Sequence, residues 1–167
     1  MRVSSWFYQA YVSVFLGGAA VIAGALLFQY VGGLQPCELC LDERWPYYIG
    51  VPLTLAALLA GRWRPLLIGG AVIVLLIYLA SSALAFYHVG VEQHWFAGPT
   101  ACTGGGGTAH TIAELEAQLS AAQPVRCDEP QWTMVGISLA GWNLLASLAL
   151  AALSASGLHG ALKGEGA

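Results

Sequence analysis

The chain has 167 residues, of which 57% are hydrophobic and only 9% are charged, and its formal net charge is −3. A soluble domain usually carries about a quarter charged residues, so this chain cannot cover itself with a polar surface and is predicted to be a membrane protein. Nucleic-acid binding would require a basic patch, and the negative charge argues against it.

Four stretches are predicted to span a bilayer, which takes about 20 apolar residues. They are residues 12–31, 45–60, 66–87 and 134–158. The short polar lead at Met1 does not resemble a cleavable signal, because the apolar run behind it is long enough to stay in the membrane. We therefore expect an all-α protein, a single four-helix transmembrane bundle over residues 1–167. Its two outward loops are 32–44 and 88–131.

The basic residues predict the orientation of this bundle. Cytoplasmic loops carry more lysine and arginine than external ones, so both termini are expected on the cytoplasmic side. The terminus side holds Arg2, Arg62, Arg64 and Lys163, and the opposite side holds only Arg44 and Arg126. All four cysteines then lie in the outward loops, where disulfides persist.

The second outward loop is too long to be a simple connector. It contains Cys102, a run of glycines over 104–107, and Cys127. Between them, Thr111 and Glu114 have the spacing of a capping box at a helix start. Apolar residues follow at helical spacing, so a short amphipathic helix lying on the outer membrane surface is predicted. They are Ile112, Leu115 and Leu119.

Cys37 and Cys40 form a Cys-x-x-Cys pair in the first outward loop. Such a pair can alternate between a disulfide and a dithiol, which is two-electron chemistry. A static disulfide or half of a metal site are the alternatives. Zinc would need two close ligand pairs or histidines at fixed spacing, and a c-type haem would need histidine where Leu41 stands. Redox chemistry is the favoured interpretation.

The residues around the pair favour a reactive thiolate at Cys40. Cys40 lies just before the second predicted span, and Arg44 can lie one turn further along the same face. A helix N-terminus and an arginine both lower a cysteine pKa. Arg44 could instead extend to the lipid headgroups, but basic residues are scarce on this side, so a functional role is favoured.

The remaining candidates are more ambiguous from the residues alone. Cys102 and Cys127 could be a second redox pair or a disulfide that stabilises the loop by about 3 kcal/mol. The presence of another pair on the same face favours redox chemistry.

His88, at the outer end of the third span, could interact with a helix C-terminus or donate a hydrogen bond to a cofactor carbonyl. Asn143 is predicted to hydrogen-bond between helices.

Taken together, these motifs resemble the DsbB family, membrane proteins that reoxidise a periplasmic disulfide-donating, thioredoxin-like protein. The resemblance covers nearly the whole chain, because it includes the four spans as well as the cysteine loops. The similar segments are residues 36–40 with Arg44, the region from Tyr87 and His88 to 98–102, and residues 127–132.

The resemblance implies an order of thiol–disulfide exchange. A reduced partner of the DsbA type would attack a Cys102–Cys127 disulfide and form a mixed disulfide with Cys102. Cys127 would then attack Cys37, in a pair that rests as the Cys37–Cys40 disulfide. Cys40 would be released as a thiolate. Four cysteines allow three pairings, and this is the pairing that we expect.

The resemblance also implies a cofactor and a location. The Cys40 thiolate would face a bound ubiquinone or menaquinone and be stabilised by Arg44, with His88 near the quinone. The protein would lie in the bacterial inner membrane with its cysteine loops in the periplasm. Two alternatives stay open. One is a thiol oxidoreductase similar to vitamin K epoxide reductase, and the other is a membrane scaffold whose cysteines are structural or bind metal.

Overall fold

The computed structural model describes residues 5–59, 64–99, 111–114, 116 and 125–163. Helices dominate this part of the chain, which confirms the predicted all-α membrane class. The elements in chain order are α1 (Ser5–Tyr30), α2 (Glu38–Asp42), α3 (Trp45–Leu59), α4 (Arg64–Glu92), β1 (Thr133–Met134), β2 (Ile137–Ser138) and α5 (Leu139–Lys163).

Three of the described helices, α1, α4 and α5, are long and apolar enough to cross a membrane. The chain is therefore a membrane protein. The helix α3 has 15 residues. At 1.5 Å per residue it is about 22 Å long, shorter than the hydrocarbon core of roughly 30 Å. The fourth span thus remains a prediction.

The four longer helices pack in a ring, in which α1 and α4 each contact both α3 and α5. Aromatic and aliphatic side chains from these helices form the buried core, and aliphatic residues such as Leu27 and Leu76 stay exposed on the outside. An apolar exterior suits contact with lipid. The core includes Phe7, Tyr11, Val14, Tyr47, Leu67, Val74, Tyr78 and Leu150.

Two glycines allow large side chains to approach a neighbouring helix closely. A Cβ at Gly18 would lie 2.5 Å from the Tyr78 hydroxyl, and a Cβ at Gly157 would lie 2.8 Å from the Tyr11 ring. Small residues at such positions bring helix backbones together. The bundle therefore depends on glycine where tyrosine rings cross its interior.

The last helix begins later than the span predicted from residue 134. Residues 133–138 instead form a β-hairpin in which Thr133 pairs with Ser138. Its two turn residues, Val135 and Gly136, have φ of 55° and 76°, the conformation of a tight type I′ turn. The Ser138 hydroxyl then accepts a hydrogen bond from the Gly141 amide and caps α5.

The helix α4 continues to Glu92, beyond the predicted boundary at residue 87, so His88 belongs to a helix and not to a loop. In the second loop, Thr111 and Glu114 exchange side-chain to backbone hydrogen bonds, which confirms the capping box. The glycine run and most of the predicted amphipathic helix lie outside the described residues, as does Cys102.

Candidate redox site and adjoining cavity

The Cys37–Cys40 pair is organised by the short helix α2. Cys37 is the N-cap of that helix, and its sulfur accepts a hydrogen bond from the Cys40 amide at 3.2 Å. The two residues are free thiols whose Sγ atoms lie 2.6 Å apart. A disulfide has an S–S distance of about 2.05 Å, so the two sulfurs already lie close enough for a small rotation to bring them to bonding distance when the pair is oxidised.

The structure reverses the expected order of acidity in this pair. The side-chain hydrogen bond between the two sulfurs lowers the pKa of Cys37. The same interaction raises the pKa of Cys40, and burial adds to the increase. The Cys40 amide adds to the lowering at Cys37, because it also donates a hydrogen bond to the Cys37 sulfur. The first thiolate of the reduced pair therefore forms on Cys37.

His88 connects the cysteine pair to a buried carboxylate. Its Nε2 lies 3.7 Å from the Cys37 sulfur, and its Nδ1 lies 2.8 Å from Glu43 Oε1. The other carboxylate oxygen of Glu43 accepts a hydrogen bond from the Asn143 side-chain amide at 2.8 Å. The Tyr47 hydroxyl donates to the Asn143 carbonyl oxygen at 2.6 Å. This network links α2, α3, α4 and α5 at one end of the bundle.

Cys127, in the segment that precedes the β-hairpin, packs near the first pair. It is 1% exposed and belongs to a buried cluster with Cys37, Leu39 and Val91. Cys127 is disulfide-bonded. Because Cys102 lies outside the described residues, the Cys102–Cys127 pairing remains a prediction. The two segments that carry Cys37 and Cys127 nevertheless meet in one buried cluster, as disulfide exchange between them requires.

The residue after Cys127 carries a charge pair at the surface. Asp128 accepts two hydrogen bonds from the Arg126 guanidinium, at 2.9 and 2.6 Å. This contact lowers the pKa of Asp128 and raises that of Arg126. Arg126 is 53% exposed at its side chain, so the pair is solvated and forms part of the outer surface.

A cavity of about 520 Å³ lies beside the cysteine pair, between α1, α3 and α5. Cys40 and Arg44 both line it, together with few other polar groups. Most of its wall is aliphatic or aromatic. The wall includes Phe28, Trp132 and Trp142, and the polar lining consists of Gln29, Glu43, Tyr47, Gln131 and Asn143. The rings of Phe28 and Trp132 pack with their centroids 4.9 Å apart.

Arg44 is buried at the edge of this cavity, with 9% of its surface exposed. Its guanidinium donates a hydrogen bond to the Gln29 side-chain carbonyl. Within the described part of the chain, no carboxylate forms an ion pair with it. A guanidinium has five donors, so Arg44 retains hydrogen-bonding capacity for an oxygen in the cavity. The structure brings Arg44 and Cys40 to the same cavity, as the sequence interpretation required.

His88 does not line the large cavity that Arg44 lines. It lines a smaller cavity, of about 20 Å³, together with Cys37 and Cys40. The Cys37 and Cys40 sulfurs and a ring nitrogen of His88 all lie within 4.8 Å of one another, which brings together three groups able to bind a metal ion. The sequence showed no ligand pattern for His88. The reason is that it joins the cysteines from 48 residues further along the chain, and spacing cannot reveal such a contact.

Sequence reasoning did not identify Glu43 or Tyr47 as site residues, and it assigned Asn143 only to helix packing. A usable signal was present, because polar and acidic side chains at the ends of apolar spans are rare and are usually functional. Glu43 stands next to Arg44, and Gln29 and Asn143 interrupt apolar runs. Their shared location became apparent only when the helices were assembled.

Comparison with known proteins identifies a family. The family model for disulfide bond formation protein DsbB matches residues 8–157. A disulfide bond formation protein B of Methylococcus capsulatus is 30% identical over 154 residues, covering 84% of this chain and 87% of that protein. Its counterpart in Azoarcus sp. strain BH72 is 29% identical over 144 residues, covering 81% and 82%. One from Stutzerimonas stutzeri is 29% identical over 155 residues, covering 84% and 88%.

No solved structure is significantly similar to this chain. The family match covers both cysteine loops, the buried His88 and all of the cavity wall. It agrees with the motifs around Cys37 and Cys127 that suggested the same family. With a buried dithiol between apolar helices and a family match over most of its length, the chain belongs to the DsbB family of disulfide bond formation proteins.

Proposed function

We propose that this protein is a thiol:quinone oxidoreductase that reoxidises a thioredoxin-like, DsbA-type dithiol protein in the periplasm. Electrons would pass from the partner to a Cys102–Cys127 disulfide, then to the Cys37–Cys40 pair, and finally to ubiquinone or menaquinone. The observation that carries the proposal is that Cys40 and Arg44 line one large apolar cavity next to the dithiol.

The cavity fits a quinone in size and chemistry. Small-molecule sites usually have volumes of about 300–1,000 Å³ and are mostly apolar with a few placed polar groups. Here the volume is about 520 Å³, and Phe28, Trp132 and Trp142 offer flat apolar surfaces for a ring. Arg44 would hold a quinone oxygen. When bound, the quinone supplies a two-electron acceptor that is soluble in the lipid.

Cys37, Cys40 and Arg44 would have different roles in the electron transfer. Oxidation of the dithiol to a disulfide removes two electrons and two protons from Cys37 and Cys40. Cys40 borders the cavity, whereas Cys37 is buried behind it beside Cys127. This order suits a route in which Cys37 exchanges with the second loop and Cys40 faces the electron acceptor. Arg44 would stabilise negative charge on the Cys40 sulfur.

The proposal includes a membrane topology. We place four spans in the bacterial inner membrane, with both termini cytoplasmic and the cysteine loops periplasmic. Arg64 begins α4 and Lys163 ends α5, so these basic residues lie at the end of the bundle opposite the cysteine pair. Their distribution supports the orientation through the excess of basic residues expected in cytoplasmic segments.

The proposal is tested by quinone reduction with the purified protein. A reduced thioredoxin-like protein is supplied as donor, and quinol formation is followed with a ubiquinone and with a menaquinone analogue. We expect turnover in the wild type and none in Cys40→Ser. Cys102→Ser should block transfer from the donor while a pre-reduced Cys37–Cys40 pair still reduces quinone. Absence of quinol with either quinone, while all four cysteines remain paired, would refute the proposal.

A further inference from the structure

We infer that Cys37, His88 and Glu43 form a buried proton relay, in which Nε2 of His88 removes the proton of Cys37, and Glu43 orients His88 and accepts the proton of its other ring nitrogen, Nδ1. The inference deepens the proposed function and rests on it for its place in turnover. It assigns a role to Glu43, which no sequence motif indicated, and it gives His88 a partner on each ring nitrogen.

The hydrogen bonds determine which ring nitrogen of His88 carries the proton. A carboxylate only accepts hydrogen bonds, so Nδ1, at 2.8 Å from Glu43 Oε1, is the donor. In the neutral ring, Nε2 is then an acceptor, and it faces the Cys37 sulfur at 3.7 Å. His88 is therefore held as a base with its lone pair directed at the thiol that must lose a proton.

Glu43 is held in place from the opposite side. Its Oε2 accepts a hydrogen bond from the Asn143 amide, and the Tyr47 hydroxyl fixes the orientation of Asn143. Glu43 is 7% exposed and His88 is 2% exposed, so the relay is shielded from bulk water. Because bulk water cannot take the proton of the buried Cys37 thiol directly, a positioned base has a larger effect there than at an exposed thiol.

Glu43 also borders the large cavity, which His88 and Cys37 do not line. The relay thus leads from the buried sulfur to the cavity on which Cys40 opens. In the closing step, the S–H bond of Cys37 breaks and its proton moves to His88 Nε2. The proton on Nδ1 moves to Glu43 Oε1. In the glutathione reaction used as the test below, the Cys37 thiolate attacks the Cys40 sulfur of a Cys40–glutathione mixed disulfide, the Cys37–Cys40 bond forms, and glutathione leaves as its thiolate.

Other ionisable groups face this relay and share its environment. They are Cys40 beside Cys37, Glu92 one turn beyond His88 on α4, and the Arg126 and Glu129 side chains around the smaller cavity. Glu92 accepts a hydrogen bond from the Ser138 hydroxyl, so it is engaged with the β-hairpin. Among the described carboxylates, Glu43 is the one that bonds to the His88 ring.

The test uses closure of the dithiol without any quinone. The reduced protein is mixed with excess oxidised glutathione, and the closing of the Cys37–Cys40 disulfide is timed by acid quenching and mass analysis. Whichever cysteine reacts first, Cys37 must lose its proton before the bond closes. Proton transfer by a placed base typically contributes a factor of 100 or more, so His88→Gln should slow closure roughly 100-fold at neutral pH. Glu43→Gln should slow it similarly.

The matched control is Asp42→Asn, the same carboxylate-to-amide change on an exposed neighbour of Glu43. It should leave the closure rate unchanged. The losses in Glu43→Gln and His88→Gln should shrink as the pH approaches the ordinary thiol pKa, because hydroxide then replaces the base. The double variant should be no slower than either single variant, since residues that act as one unit are not additive.

Several outcomes separate the relay from a merely structural role. Closure that slows equally at neutral and alkaline pH would overturn the relay, as would additive effects in the double variant. Rates of Glu43→Gln equal to those of Asp42→Asn would overturn it as well. Because no quinone takes part, a wild type that fails to reduce quinone would refute the proposed function alone and leave this experiment decisive for the relay.

Discussion

The hydrogen-bonding capacity of Arg44 makes a quantitative prediction about quinone affinity. Arg44 is buried at the cavity edge, bonded to Gln29, and forms no ion pair with a described carboxylate. A hydrogen bond to a charged group is worth about 1.5–3 kcal/mol. With 1.36 kcal/mol per factor of ten, Arg44→Ala should weaken quinone binding roughly 10- to 150-fold. Arg44→Lys should fall between, because an ammonium keeps the charge but lacks the planar fork.

Quinone affinity can be measured by quenching of the fluorescence of Trp132 and Trp142, which line the cavity. The control is Arg126→Ala, which removes an arginine from the same face that is exposed and already paired with Asp128. It should bind quinone as the wild type does. An unchanged affinity in Arg44→Ala, or an equal loss in Arg126→Ala, would show that Arg44 does not hold the quinone.

Two further predictions concern the dithiol and the bundle. Because the Cys40 thiol stabilises the Cys37 thiolate, the ultraviolet thiolate absorbance of the reduced protein should rise at a pH below that of an ordinary cysteine. In Cys40→Ala this rise should move to higher pH, and an unchanged titration would contradict the hydrogen bond. Gly157→Val should destabilise the protein by about 1–3 kcal/mol in thermal unfolding, because its side chain meets the Tyr11 ring. Gly69→Val, at a position where an added Cβ meets nothing within 4 Å, is the control and should unfold like the wild type.

The sequence predicted the membrane class and the location of the cysteine chemistry, for simple physical reasons. A chain with 9% charged residues and long apolar runs has to be solvated by lipid. Cys37, Cys40 and Arg44 lie within eight residues of one another, so their association is local and spacing reveals it. The capping box of Thr111 and Glu114 is local in the same sense, and it formed as predicted.

Local signals also explain where the sequence boundaries were inaccurate. Hydropathy continues through residues 134–138, but the Val135–Gly136 turn and the Ser138 cap place the start of α5 at Leu139. Hydropathy falls near residue 88, yet α4 continues to Glu92 because His88 finds partners inside the protein. In both cases, hydrogen bonds that hydropathy does not register decided where the helix begins or ends.

The sequence by itself therefore determined that this protein lies in lipid and that it carries a Cys-x-x-Cys pair. Only the tertiary structure decided which of the two thiols has the lower pKa and which side chains surround the pair. Glu43, His88 and Asn143 are separated by 45 and 55 positions, and they meet because α4 and α5 pack side by side next to α2. Contacts between distant segments depend on how the helices pack, and neither composition nor spacing encodes that packing in a readable form.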